Sequence, residues 1–142
     1  MRLKTILLAV LTVIFLNCGD DDSAGSPLEN GSQIRIDEAL FTNGPNDNFF
    51  LRAATITGNI LNLTLDYGGG CGEVYYDLVT GDSFVLTNPV QKNIRLAFDD
   101  QDNCEALVGL ELSFDLTQLQ IPSTNRLIIN LDGWDTPIEY NY

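Results

Sequence analysis

The residues best equipped for chemistry in this 142-residue chain are clustered oxygen donors, aromatic rings and three cysteines. The run Asp99-Asp100-Gln101-Asp102-Asn103 concentrates carboxylate and amide oxygens, the donors that hard cations such as calcium prefer. Asp100, Asp102 and Glu111 fall at the offsets of a calcium loop of roughly twelve residues, but Cys104 takes a ligand position and Glu105 replaces the required glycine. What survives is a looser candidate calcium site of Asp99, Asp100, Asp102 and Asn103, weighed against a solvated loop whose acids aid solubility. Trp134, Tyr140 and Tyr142 gather near acids at the C-terminal end, a grouping suited to stacking on sugar rings. The competing reading has Ile138, Tyr140 and Tyr142 alternating into a core while Trp134 caps one end of the fold. Tyr75 and Tyr76 are adjacent, so one ring faces in and the outward one is a second platform.

The sequence contains no histidine. That removes serine–histidine and cysteine–histidine catalysis and imidazole metal ligands. Glycoside hydrolysis by paired carboxylates needs two acids about 5–9 Å apart in a cleft. Acids abound here, yet none stands in a recognisable motif, and the expectation is a chain that is not an enzyme.

The third cysteine, Cys18, ends an N-terminal run of a different kind. Arg2 and Lys4 precede an uncharged stretch from Ile6 to Leu16, too short to span a bilayer, which takes roughly 17–25 residues. It fits the apolar region of a secretory signal. The ending Phe15-Leu16-Asn17-Cys18 resembles the lipobox of bacterial lipoproteins, with Asn17 in place of the usual small residue. The resemblance implies cleavage before Cys18, a covalent acyl lipid such as palmitate or diacylglycerol on that residue, and anchorage to a bilayer. Asp20, Asp21 and Asp22 resemble the acidic export signal of surface lipoproteins of the Bacteroidota type, which implies an outer-membrane protein facing the cell exterior, with a periplasm-facing anchor as the alternative. Asp22-Ser23-Ala24 resembles an O-glycosylation site of the same bacteria, placing a sugar on Ser23.

Residues 1–17 are therefore read as signal peptide and 18–33 as a lipidated, flexible acidic tether whose coil reach is roughly 20 Å. Removing the signal leaves five basic and twenty acidic side chains, a net charge of −15. Such a surface repels nucleic acid, and no nucleic-acid partner is expected.

From residue 34 to 142 the hydrophobic period is two, the signature of strands. Ala106, Val108, Leu110, Leu112, Phe114 and Leu116 share one face, and their intervening residues are mostly polar. Leu61, Leu63, Leu65 and Tyr67 repeat the pattern, as do Ile94, Leu96 and Phe98, and then Leu127, Ile129 and Leu131. Gly58-Asn59 suits a two-residue hairpin. Thr80-Gly81-Asp82-Ser83 reads as a turn into a further strand over FVLT. About eight short strands predict an all-β antiparallel sandwich, immunoglobulin-like or similar. With Cys18 assigned to lipid, Cys71 and Cys104 form an even pair in an oxidising compartment and read as one disulfide, the alternative being two unpaired core thiols. Two distant cysteines supply too few ligands for zinc.

Gly69-Gly70-Cys71, the acidic 99–106 run with Cys104, and Leu112-Ser113-Phe114-Asp115-Leu116 resemble a small two-cysteine lipoprotein domain of uncharacterised role. Its relatives carry histidines where this chain has Val74 and Phe98, so no metal role carries over, and the resemblance brings no activity. The resulting expectation is a non-catalytic binding or accessory module for a glycan, an extracellular protein or an outer-membrane complex. The alternative is a small extracellular hydrolase or hydrolase inhibitor using surface carboxylates.

Overall fold

The computed structural model describes residues 27–101 and 103–142. Cys18, Asp20, Asp21, Asp22, Ser23 and Asp102 lie outside the described residues, as does the whole signal segment.

The alternating runs named above become strands, with one exception over residues 84–87. They are β2 (Phe49–Thr57), β3 (Ile60–Gly69), β4 (Val74–Thr80), β5 (Gln91–Asp100), β6 (Ala106–Asp115), β7 (Arg126–Leu131) and β8 (Ile138–Asn141). A two-residue strand β1 (Arg35–Ile36) and a short helix α1 (Glu38–Asn43) precede them. The strands form a five-stranded sheet in the order β1-β4-β5-β7-β8 and a three-stranded sheet in the order β2-β3-β6. This is the expected β-sandwich of eight strands with one disulfide. Within the larger sheet two neighbouring pairs run parallel, β1 with β4 and β5 with β7, so that sheet is mixed.

The core lies between the sheets. Leu61, Leu63, Leu65 and Tyr67 of β3 face Leu78, Ile94, Leu96 and Phe98 of β4 and β5, all buried. Each fully buried Leu or Phe contributes about 1.5–3 kcal/mol. A one-residue slip would turn these side chains to solvent, which fixes the register of β3 against β6 from Ile60↔Asp115 to Gly69↔Ala106. Gly58, with φ of 59°, makes the tight turn between β2 and β3 that the sequence predicts. Cys71 and Cys104 are bonded, Cα to Cα 5.8 Å. Their bridge ties the β3–β4 connection to the β5–β6 connection, and both connections pass from one sheet to the other.

Besides this departure from a purely antiparallel arrangement, three sequence expectations change. The FVLT strand does not form: residues 81–90 are a loop that meets the sheet through a bridge from Val85 to Gln91. Its tip, Leu86, is 88% exposed. Pro89 lacks an amide donor for a ladder, and buried Lys92 draws the carbonyls of Gly81 and Ser83 onto its ammonium at 2.7 and 3.0 Å.

The packed domain also begins earlier than residue 34. Leu28 is 4% exposed and packs with Leu40, Val79 and Ala97. The amides of Glu29 and Gly31 donate to the Asp77 carboxylate at 3.0 and 2.9 Å. Residues 27–33 are thus domain, not tether.

Finally, the outer face of the larger sheet is covered where alternation implied water. Asp77, Val79, Arg95 and Ala97 point outward in register, and all four are buried beneath α1 and residues 27–31. Asp37 caps α1 by accepting from the Leu40 amide at 2.9 Å.

Candidate functional site

The parallel pairing of β7 with β5 ends at Ile94↔Leu131. Beyond it, the flank of β5 is taken by the chain after α1: Asp47 N donates to Phe98 O at 2.9 Å and Phe98 N to Pro45 O at 3.2 Å. The turn leaving β7 folds back over the gap, with Asp132 N on Ile94 O at 2.9 Å and Trp134 N on Leu131 O at 3.1 Å. Gly133 permits this turn through a φ of 76°, which a side chain would resist.

Between this turn and α1 lies a depression of about 490 Å³, lined among others by Phe41, Asn93, Asn130, Asp132, Trp134 and Asp135. Asn130 Nδ2 donates to Gln91 Oε1 and to Asn93 Oδ1, both at 3.0 Å, so the amides beside the depression are fixed in orientation. Arg95 closes the floor. Its guanidinium donates to the carbonyls of Phe41 at 2.8 Å, Pro45 at 3.0 Å, Leu40 at 2.6 Å and Gly44 at 2.9 Å. Burial lowers the Arg95 pKa from its ordinary value, and the nearby Asp132 carboxylate acts in the opposite sense. A second hollow, lined by Phe50, Asp135 and Thr136 among others, also includes Trp134 in its lining. Trp134 therefore lines two open spaces.

The other aromatic candidates do not join it. Tyr140 is fully buried, and its hydroxyl accepts from Gln120 Nε2 at 2.9 Å while donating to Asn59 Oδ1 at 3.0 Å. Burial raises its pKa, partly countered by the Gln120 hydrogen bond. Tyr142 packs against it at 4.9 Å between ring centroids and accepts from the Ile121 amide at 3.0 Å. The platform of Trp134, Tyr140 and Tyr142 is corrected accordingly: the tyrosines alternate into the core, and Trp134 alone faces a depression. Tyr75 shares the outward face with Asp99 and donates to Glu73 Oε2 at 2.5 Å; that bond raises its pKa.

In the acidic run, Asp99 and Asp100 are neighbours in β5 and point to opposite faces. Asp99 Oδ2 accepts from Gln101 Nε2 at 3.2 Å, and the Asp100 amide donates to Asp47 Oδ2 at 2.8 Å. Asn103 lies in the following loop, exposed. Among the described residues no three of His, Cys, Asp and Glu come together as a metal-binding group.

Asn93, Asn130 and Arg95 escaped sequence reasoning because each occupies the polar side of an alternating strand, where solvent is the ordinary expectation. The only signal was Arg95 and Lys92 within one apolar strand, which alternation cannot both place in water.

No protein-family model matches the chain, and no curated protein matches it. Solved structures do. A NigD-like immunity protein from Bacteroides caccae superposes with a TM-score of 0.56 at 20% identity, over 75% of this chain and 56% of that one. A protein of unknown function from Bacteroides vulgatus gives 0.55 at 14% identity, over 77% and 55%. A toxin-related protein from Parabacteroides distasonis gives 0.52 at 14%, over 78% and 60%. The chain thus spans little more than half the length of these neighbours, and what it shares with them is the β fold.

Proposed function

We propose that this protein is a lipid-anchored, non-catalytic binding module of the outer-membrane surface that takes a sugar-containing ligand beside Trp134. The observation carrying this reading is the indole set against the fixed amides of Asn93 and Asn130 and the carboxylates of Asp132 and Asp135. A sugar ring presents an apolar C–H face and a rim of hydroxyls, which such a ring-and-amide surface complements.

Trp134 is the only tryptophan, so its fluorescence reports occupancy directly. Titrating the soluble Cys18→Ser protein with capsular and cell-wall polysaccharide fractions should shift its emission, and Asn130→Ala should abolish the shift. Unchanged emission with every fraction, together with an empty glycan array, overturns the reading. Anchorage is tested separately. Labelled palmitate should enter the wild type and not Cys18→Ala, while replacing Asp20, Asp21 and Asp22 with Ala should keep the lipid but reduce protease accessibility on whole cells. A glycopeptide carrying Ser23 in the digest would place the modification.

A second reading, an inhibitor of a cationic extracellular enzyme or toxin, is supported by the charge of −15 after signal removal and by a fold neighbour described as an immunity protein. It requires that the domain suppress such an activity in a salt-sensitive manner.

A further inference from the structure

A sandwich of open sheets has four edges, and three of them here are guarded. β2 carries a register shift between Leu51 and Ala53, β8 has four residues, and β1 has two. Short or bulged edges resist pairing with foreign strands. The fourth edge, β6, is a ten-residue strand with no shift in its register to β3 and neither lysine nor proline along it.

One end of that edge is already in use. The Asp115 amide donates to Ser32 O at 2.8 Å, and Asp115 O accepts from the Ile34 amide at 3.0 Å, both on the side away from β3. Backbone direction alternates along a strand. The N–H and C=O groups of Leu107, Gly109, Glu111 and Ser113 therefore aim off the same edge. Among the described residues no strand pairs with them there.

The side chains agree with an unfinished edge. Val108 and Leu110 face the core yet are only half-buried, whereas Leu112 and Phe114 farther along the strand are buried. On the outer face Leu107 is 79% exposed and Phe50 66%, flanking Gly68 across a hollow of about 450 Å³. Glu111 lies on that face too and has no ionic or hydrogen-bonded partner among the described residues.

We propose that the β6 edge from residue 107 to 113 accepts an extended, cationic and apolar segment of a partner protein, which becomes the fourth strand of the smaller sheet. Its backbone pairs with β6, its inward apolar residues complete the burial of Val108 and Leu110, and a basic residue meets Glu111. Charge decides against a second copy of this chain, since pairing two surfaces of −15 brings Glu111 toward its own kind. This assignment stands whether or not a sugar binds beside Trp134.

The test uses a fluorescent synthetic peptide that alternates valine with lysine and has one leucine to meet Leu107. The soluble Cys18→Ser protein should bind it, and a glutamate-for-lysine version should not bind. N-methylating one peptide amide that faces β6 should weaken binding about tenfold, without touching the protein. Glu111→Lys should weaken it about fivefold. Gly109→Pro removes an edge donor while leaving the β3 ladder intact, and should prevent binding with the circular dichroism spectrum unchanged. Equal binding of the N-methylated peptide, or none by the wild-type protein, overturns the proposal. So does concentration-dependent dimerisation that Gly109→Pro abolishes, which assigns the edge to a second copy.

Discussion

Arg95 Nη2 lies 2.6 Å from the carbonyl oxygen of Leu40, so a strand in the middle of the larger sheet holds the end of the only α-helix among the described residues. Three further carbonyls complete the grip, and among the described residues no carboxylate is hydrogen-bonded to the guanidinium. Arg95→Met should cost about 3 kcal/mol or more, because several buried carbonyls lose their donor together. Urea denaturation measures it. Gly44→Ala should act on the same contact, since an added Cβ would meet Leu40 O at 2.5 Å and Arg95 Nη2 at 2.9 Å.

Asp77 is 2% exposed and collects the amides of Glu29 and Gly31 together with Arg35 Nη1 at 3.3 Å. Asp77→Ala should release residues 27–31 from the sheet at a cost of roughly 2–3 kcal/mol. Limited proteolysis should then cut near Glu29 faster than in the wild type.

Lys92 sits in the core-facing row of β5 with two carbonyl acceptors and the Phe84 ring 4.1 Å from its ammonium. Burial lowers its pKa, with Asp82 and Glu38 acting the other way. Because the folded value lies below the unfolded one, Lys92 opposes folding most at neutral pH, and this opposition fades as pH rises through the folded pKa toward 10.5. Lys92→Met should flatten that rise, and it should lower stability by about 1–3 kcal/mol through the orphaned carbonyls.

Tyr140 has the opposite sign. Its raised pKa keeps it neutral when an unfolded tyrosine would ionise, so stability falls as pH climbs above 10.0. Absorbance titration of the five tyrosines should show a late-ionising group that Tyr140→Phe removes. A second late group should vanish with Tyr75→Phe, whose hydroxyl is held by Glu73.

Reduction provides another measurement. Cys71 and Cys104 are 33 positions apart, and replacing both with Ala should cost about 3.5–4 kcal/mol by freeing the unfolded chain.

Strand positions were legible because burial on one face imposes a two-residue period, as in Leu61, Leu63 and Leu65 against Asn62 and Thr64. The covering of the larger sheet was not. α1 has six residues, too few to show a helical stripe, and Leu28 looked isolated because its contacts lie beyond position 39 in the chain. Parallel pairing of β5 with β7 leaves no local mark, since nothing in either strand encodes its neighbour's direction. Trp134 was identifiable as a candidate. Its polar companions were not, because Asn93 and Asn130 become neighbours only when those strands align.

Between Pro27 and Asp37 the chain is fastened to both sheets in quick succession. It holds Asp77 on β4, then Asp115 on β6, then Val79 and Thr80 on β4 again. A pull applied ahead of Pro27 is therefore shared between the two layers from the outset. Such a load falls first on Asp77, the most deeply buried carboxylate among the described residues.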